Sequence, residues 1–210
     1  QVPLRDRLRE LDFELPMAGG NHAAGDRPGH LVGDVADLLR AHLPEGDPLL
    51  PYADRLARPP LADQPLTGYL GGSVDAVLRV GSGADQRFLV VDYKTNLLGE
   101  QGRPPTAADY APPALAEAML HSHYPLQALL YSVVAHRFLR WRLPGYEPQT
   151  HLGGVLYLYL RGMCGPDTPT TDGVPAGVFS WRPPAALVTA LSDLLDAPAP
   201  ENARVSGEAR

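Results

Sequence analysis

The sequence predicts a mixed α/β fold in which helices flank a sheet, and three stretches carry that prediction. Residues 68–80, "GYLGGSVDAVLRV", and 87–95, "RFLVVDYKT", are strand-like runs joined by the turn-rich "GSGADQ", the signature of an antiparallel hairpin. Residues 153–162, "GGVLYLYLRG", are almost continuously apolar, as expected of an interior strand covered on both faces. Between them, residues 125–141 place Leu126, Leu129, Leu130, Val133, Val134 and Phe138 on a helical stripe, with Pro125 in the first turn, where a missing N–H costs nothing.

The remaining elements follow in order. Residues 7–15, "RLRELDFEL", alternate as a strand that Pro16 closes, and residues 30–43 carry Leu31, Val35, Leu38 and Leu39 at helical spacing. Residues 44–66 are proline-rich and read as irregular or briefly helical, residues 101–113 as loop, and residues 113–124 as a short helix. "GVFSWRP", residues 177–183, is a short strand, residues 184–197 are a closing amphipathic helix, and residues 197–210 have the composition of a disordered tail. No internal repeat is visible.

With 210 residues, 44% hydrophobic and 20% charged, the chain fits one globular domain with a single core. One cysteine, Cys164, excludes an internal disulfide and suits a reducing compartment, so a cytoplasmic location is expected. No run approaches a membrane span, and no signal peptide opens the chain; it begins at Gln1, as expected of a piece of a longer polypeptide or of a processed product. The formal net charge of −6 supplies no global field for nucleic acid. The densest basic ground is "HRFLRWR", residues 136–142, where Arg137 and Arg140 sit one helical turn apart. They read either as a cap complementing the helix dipole or as contacts to a DNA strand.

The chemistry concentrates on the hairpin. Alternation along residues 88–94 points Asp92 and Lys94 to one face and Tyr93 to the other. A turn symmetric about Gly83 and Ala84 sets Asp75 opposite Asp92. Facing carboxylates destabilise a sheet by a few tenths to ~1 kcal/mol, so something must compensate. Lys94 is one counter-charge, and a magnesium or manganese ion between two hard carboxylates is the better one. Such a site suits phosphodiester hydrolysis, in which a cation lowers the pKa of a bound water and a lysine offsets charge on the phosphate. Asp-x-Lys alone is weak, since a chain of this size holds about one by chance. Its position at the end of an apolar strand, with an Asp on the preceding strand, lifts the signal. Gln127 and Tyr131, four residues apart, share a helix face.

In combination these motifs resemble the PD-(D/E)xK nucleases, and among them the RecB-type nuclease domains. "GGSVDAVLR" is similar to the family's Asp-bearing strand, "LVVDYKTNLLGE" to its catalytic strand and following loop, "HYPLQALLYSVVAHRFLR" to its Gln-x-x-x-Tyr helix, and "HLGGVLYLYLRG" to the next strand. The resemblance implies a restriction-endonuclease-like mixed sheet over residues 1–196, with an N-terminal core helix lying upstream of this chain. It implies a magnesium- or manganese-dependent deoxyribonuclease acting in double-strand break repair and recombination. Asp75 and Asp92 would be metal ligands with the main-chain carbonyl of Tyr93, Lys94 the catalytic lysine, and Gln127 and Tyr131 DNA contacts. Implied partners are DNA, upstream helicase domains of the same polypeptide, RecC-like and RecD-like subunits, and RecA.

One departure concerns a further histidine ligand, which the family carries on a helix upstream of the first strand. His22, His30 and His42 are candidates by type alone, and His121 and His123 read as surface residues near the DNA path. No Gly-x-x-x-x-Gly-Lys-Ser/Thr occurs, so ATP chemistry would belong to upstream domains. The competing reading is a nuclease fold kept as an interaction module that docks partner subunits or a recombinase. Retention of Asp75, Asp92 and Lys94 together argues against it, and the absent upstream helix argues against a free-standing exonuclease.

Overall fold

The computed structural model describes residues 2–17, 30–100 and 102–196. His22 and the expected tail at 197–210 lie outside them. The strands are β1 (Arg7–Pro16), β2 (His30–Leu31), β3 (Pro65–Leu66), β4 (Tyr69–Val80), β5 (Arg87–Lys94), β6 (Leu152–Tyr159), β7 (Thr170–Thr171), β8 (Val174–Pro175) and β9 (Val178–Trp181). The helices are α1 (Val32–His42), α2 (Tyr52–Leu56), α3 (Pro112–His121), α4 (Tyr124–Arg142), α5 (Pro148–His151) and α6 (Ala185–Asp196).

The chain divides into two compact units, residues 1–12 with 73–185 and residues 13–72 with 186–210. In the second unit, α1 packs on α2 through Val32, Val35, Ala36 and Leu39 with Tyr52, Ala53 and Leu56, all buried. The proline-rich stretch after α1 thus contributes a helix. Asp34 starts α1 by accepting from the Leu31 amide at 3.0 Å, and His30 Nδ1 lies 3.0 Å from the same carboxylate oxygen.

The first unit carries the sheet, in the order β1-β4-β5-β6-β9. β4 and β5 pair antiparallel, β5 and β6 parallel, and β6 and β9 antiparallel. A parallel neighbour needs a long crossover, and the chain supplies it through α3, α4 and α5 between β5 and β6. α4 packs on β5 and β6, and α3 packs on β9. This five-stranded mixed sheet flanked by helices is consistent with the restriction-endonuclease-like architecture expected from the motifs.

The core lies between sheet and helices. Val90 and Val91 of β5, Val155, Tyr157 and Tyr159 of β6, Phe179 and Trp181 of β9, Leu115 and Met119 of α3, and Leu129 and Val133 of α4 are buried. Each such side chain contributes about 1.5–3 kcal/mol. The expected stripe on α4 is only partly the buried one: Leu126, Leu130 and Phe138 are half-exposed, while Ala128, Ser132, Ala135 and His136 are buried. Residues 101–113, read as loop, hold a 3-10 turn at Ala107–Tyr110 and the first turn of α3.

A bulge interrupts the β5–β6 ladder. Phe88 pairs with Leu152 and Leu89 with Gly154, so Gly153 is passed over. At Gly154 φ is +99°, and a Cβ there would come within 2.5 Å of the Trp181 carbonyl, so glycine is required. From Gly154 onward the ladder is regular, and Tyr157 stands level with Asp92.

Candidate active site

The hairpin register is the one the turn symmetry predicts. Ala76 pairs with Val91, Val77 with Val90 and Val80 with Arg87, and one step further brings Asp75 level with Asp92. The Tyr93 amide donates to Asp75 Oδ2 at 2.8 Å, which fixes that carboxylate against the end of β5. Asp92 is only 4% exposed. Its Oδ2 lies 2.7 Å from Lys94 Nζ in a buried ion pair. Burial, foremost, pushes the Asp92 carboxyl above the usual carboxylate range; Lys94 opposes that shift and the charge of Asp75 adds to it.

Lys94 is enclosed rather than solvated. Besides Asp92, its Nζ donates to Gln127 Oε1 at 3.0 Å, lies 3.9 Å over the centre of the Tyr124 ring and 5.1 Å from that of Tyr157. Gln127 sits in the first turns of α4, and its Nε2 donates to Tyr131 OH at 3.1 Å, one helical turn on. Tyr131 OH donates in turn to the Ser73 carbonyl on β4 at 2.8 Å. Tyr157 OH donates to Gln127 Oε1 at 3.0 Å. Burial, reinforced by the Asp92 charge, pushes the phenols of Tyr157 and Tyr131 up, so both stay protonated and able to donate.

The loop leaving β5 is pinned. Tyr110 OH donates to the Asn96 carbonyl at 3.0 Å and accepts from the Leu98 amide at 3.1 Å, while Tyr124 OH donates to Asn96 Oδ1 at 3.1 Å. Arg161 Nε donates to the Thr95 carbonyl at 2.9 Å.

Five residues singled out in the sequence thus meet in one place: Asp75, Asp92, Lys94, Gln127 and Tyr131. Tyr93 reaches the site through its backbone, its side chain being 49% exposed. Arg137 and Arg140 stand about 15 and 20 Å further along the α4 axis from Gln127 at 1.5 Å per residue. His121 Nδ1 lies 2.9 Å from the Glu117 carbonyl of its own helix, and His123 caps the start of α4. Sequence reasoning missed Tyr124, Tyr157 and the Ser73 carbonyl. The alternation of Val155, Tyr157 and Tyr159 marks one face of β6, but only the pairing with β5 shows which residue stands beside Asp92.

Among the described residues, no group of three or more His, Cys, Asp and Glu is placed to hold a metal ion. The available donor set is therefore the facing pair of carboxylates. It fits one hard divalent cation, because Asp75 and Asp92 are close enough for the charge of one to raise the carboxyl of the other, and a cation held between them would offset both.

No protein-family model matches the chain. Among curated proteins it is 64% identical over 200 residues to RecBCD enzyme subunit RecB of Mycolicibacterium smegmatis, covering 95% of this chain and 18% of that protein. It is 64% identical over 196 residues to the same-named subunit of Mycobacterium tuberculosis H37Rv, covering 93% of the chain and 17% of the relative. To that of Escherichia coli K12 it is 33% identical over 194 residues, 92% of the chain and 14% of the relative. Over nearly its whole length, then, the chain is similar to one segment of RecB and spans less than a fifth of the relatives it matches.

Proposed function

We propose that this chain is the magnesium-dependent nuclease module of a RecB-type protein, hydrolysing DNA phosphodiester bonds within an ATP-driven helicase-nuclease that repairs double-strand breaks. The observation that carries the reading is the buried Asp92 carboxylate, level with Asp75 and ion-paired with the Lys94 ammonium at 2.7 Å. A purely structural ion pair matches one carboxylate to one ammonium; here Asp75 adds a second negative charge that raises the Asp92 carboxyl.

Asp75 and Asp92 would hold the cation, with the Tyr93 carbonyl as a further ligand. Bound there, magnesium or manganese acidifies water and offsets charge on the phosphate. The protein's own part is positional. The Tyr93 amide holds Asp75, and Gln127, Tyr124 and Tyr157 hold the Lys94 ammonium against the site, where its charge favours the phosphorane-like transition state over the ground state. Gln127 and Tyr131 line the DNA strand on the same side, and Arg137 and Arg140 offer phosphate contacts further along α4. The net negative charge accords with a strand delivered by an attached helicase rather than captured by this module.

The name of the relatives, RecBCD enzyme subunit RecB, supports membership of a RecBCD-like complex with RecC-like and RecD-like subunits; a cytoplasmic location, with DNA, helicase domains of the same polypeptide and RecA as further partners, is proposed with it. The test is degradation of linear DNA with magnesium by the parent chain and by Asp75→Ala and Asp92→Ala. Loss of hydrolysis in both variants is expected. Cleavage at the parent rate by either removes the carboxylate pair from the mechanism.

A further inference from the structure

β5 and β6 run parallel, so their C-terminal ends share one edge of the sheet, the edge at which α/β sheets take their ligands. Tyr159 at the end of β6 stands level with Lys94 at the end of β5. Just beyond it the chain makes a 3-10 turn, Leu160–Gly162, that carries Arg161. Arg161 Nε donates at 2.9 Å to the carbonyl of Thr95, the residue after Lys94. Among the described residues the guanidinium has no other hydrogen bond and no carboxylate partner.

Other arginines of the same unit are spent on structure. Arg79 and Arg103 are paired with Asp6 and Asp109, and Arg182 gives Nε and Nη2 to the carbonyls of Leu152 and Gln149. Arg161 is exposed, keeps its whole charge uncompensated and retains both Nη groups, the pair that meets two oxygens of a phosphate end-on. Its mounting is firm. Gly162 is buried against Tyr110, where a Cβ would collide with the tyrosine side chain, and Tyr110 OH holds the Asn96 carbonyl and the Leu98 amide. The turn bearing Arg161 and the loop leaving Lys94 thus lean on one side chain. A fork held in this way loses little freedom when an anion arrives.

We propose that Arg161 binds the phosphate of the DNA strand that neighbours the scissile one, with the Nε bond to Thr95 aiming Nη1 and Nη2 at the phosphate oxygens. This deepens the nuclease reading and rests on it for which phosphate reacts. Neighbouring strands lie about 4.8 Å apart, so the step from β5 to β6 moves along the DNA by roughly one nucleotide. The contact is made equally before and during hydrolysis, so it sets affinity rather than turnover.

The test is fluorescence anisotropy of a single-stranded oligonucleotide titrated with the chain in EDTA over a range of salt. Each neutralised phosphate contributes about −0.7 to the slope of log K against log salt, so Arg161→Gln should make that slope shallower by about 0.7 and weaken binding about fivefold at low salt. Arg161→Lys keeps the charge and should keep the parent slope. In magnesium, Arg161→Gln should raise KM for DNA while kcat changes less than about twofold. An arginine that only holds the loop behind Lys94 predicts the reverse, an unchanged slope with kcat reduced in both variants, and that result overturns the proposal. So does a parent chain that binds no oligonucleotide. If the slope falls as expected but the parent hydrolyses nothing in magnesium, the nuclease reading fails and Arg161 remains a phosphate contact. Should neither variant fold, 15N NMR of the parent decides: oligonucleotide must shift the Arg161 Nη signals more than Nε, and unmoved Nη signals overturn the assignment.

Discussion

Replacing Asp92 by asparagine separates what the site does for stability from what it does for chemistry. The substitution keeps the volume of a side chain that is 4% exposed and removes its charge. Relief of the cross-strand repulsion from Asp75 contributes a few tenths to ~1 kcal/mol. Loss of the Lys94 ion pair opposes this, because a buried ammonium loses its counter-charge; Lys94 retains Gln127 Oε1 and the two tyrosine rings, and the raised Asp92 carboxyl means that burial and the charge of Asp75 outweigh the pair. Metal-free Asp92→Asn should therefore be more stable than the parent by up to about 1 kcal/mol near neutral pH, or about 2–4 °C in Tm for a chain of this size. The sign of the pH dependence follows from the raised carboxyl. The folded state holds the Asp92 proton more tightly than the unfolded chain does, so that contribution is fully present below the unfolded pKa and is lost as pH rises through the folded one. The advantage of Asp92→Asn should vanish in acid and grow toward neutrality. Magnesium should reverse the order, since at ten times its Kd a ligand adds about 1.4 kcal/mol to the parent and nothing to a variant that cannot bind it. Calorimetric melts in EDTA and in magnesium, from about pH 3 to 8, provide the measurement. A variant less stable than the parent in EDTA at neutral pH, or magnesium stabilising both alike, would refute the argument.

Three further outcomes are expected. Lys94→Ala removes a charge acting on the reaction rather than a ligand, so titration calorimetry should still detect metal binding while cleavage falls by orders of magnitude; binding lost as severely as in Asp92→Ala would make the lysine a support for the carboxylates. Gly154→Ala forces a Cβ into the Trp181 carbonyl at a backbone φ of +99°, and urea unfolding should register a loss of more than about 2 kcal/mol. Arg103 and the Thr106 backbone hold the Asp109 carboxyl well below the usual carboxylate range, so their bond supports the turn above the unfolded pKa and releases it as pH falls through the lower folded value. Amide exchange at Thr106 should accelerate over that acid window, and in Asp109→Asn it should be fast already at neutral pH.

The hairpin was readable because its turn is short and its strands are local: register and facing follow from where the glycines fall. The Asp75–Asp92 pairing, Lys94 on the same face and Gln127 with Tyr131 on one helical face came from these short-range periodicities. The buried face of α4 was harder, since a helix covered on much of its circumference buries Ser132 and His136 as readily as leucine, and no stripe distinguishes them. The tyrosine surroundings of Lys94 were out of reach. Tyr157 is separated from Lys94 by the whole α3–α4–α5 crossover, and its alternation with Val155 and Tyr159 is that of any buried strand face. Two compact units, too, depend on which elements touch, which composition does not report.

The glycine pair at the start of β6 acts as a parity setting. Strand side chains alternate, so passing over one residue exchanges the two faces of everything downstream. With Gly153 skipped, β6 turns Val155, Tyr157 and Tyr159 to the fully buried side and leaves Leu156 and Leu158 on the less covered one. A ladder running straight on from Leu152 would set Leu156 level with Asp92, and the lysine would face aliphatic carbon where it now has the Tyr157 ring. Which β6 side chain stands beside Lys94 is thus decided several residues away, by a single uncounted residue in a stretch that carries no charge.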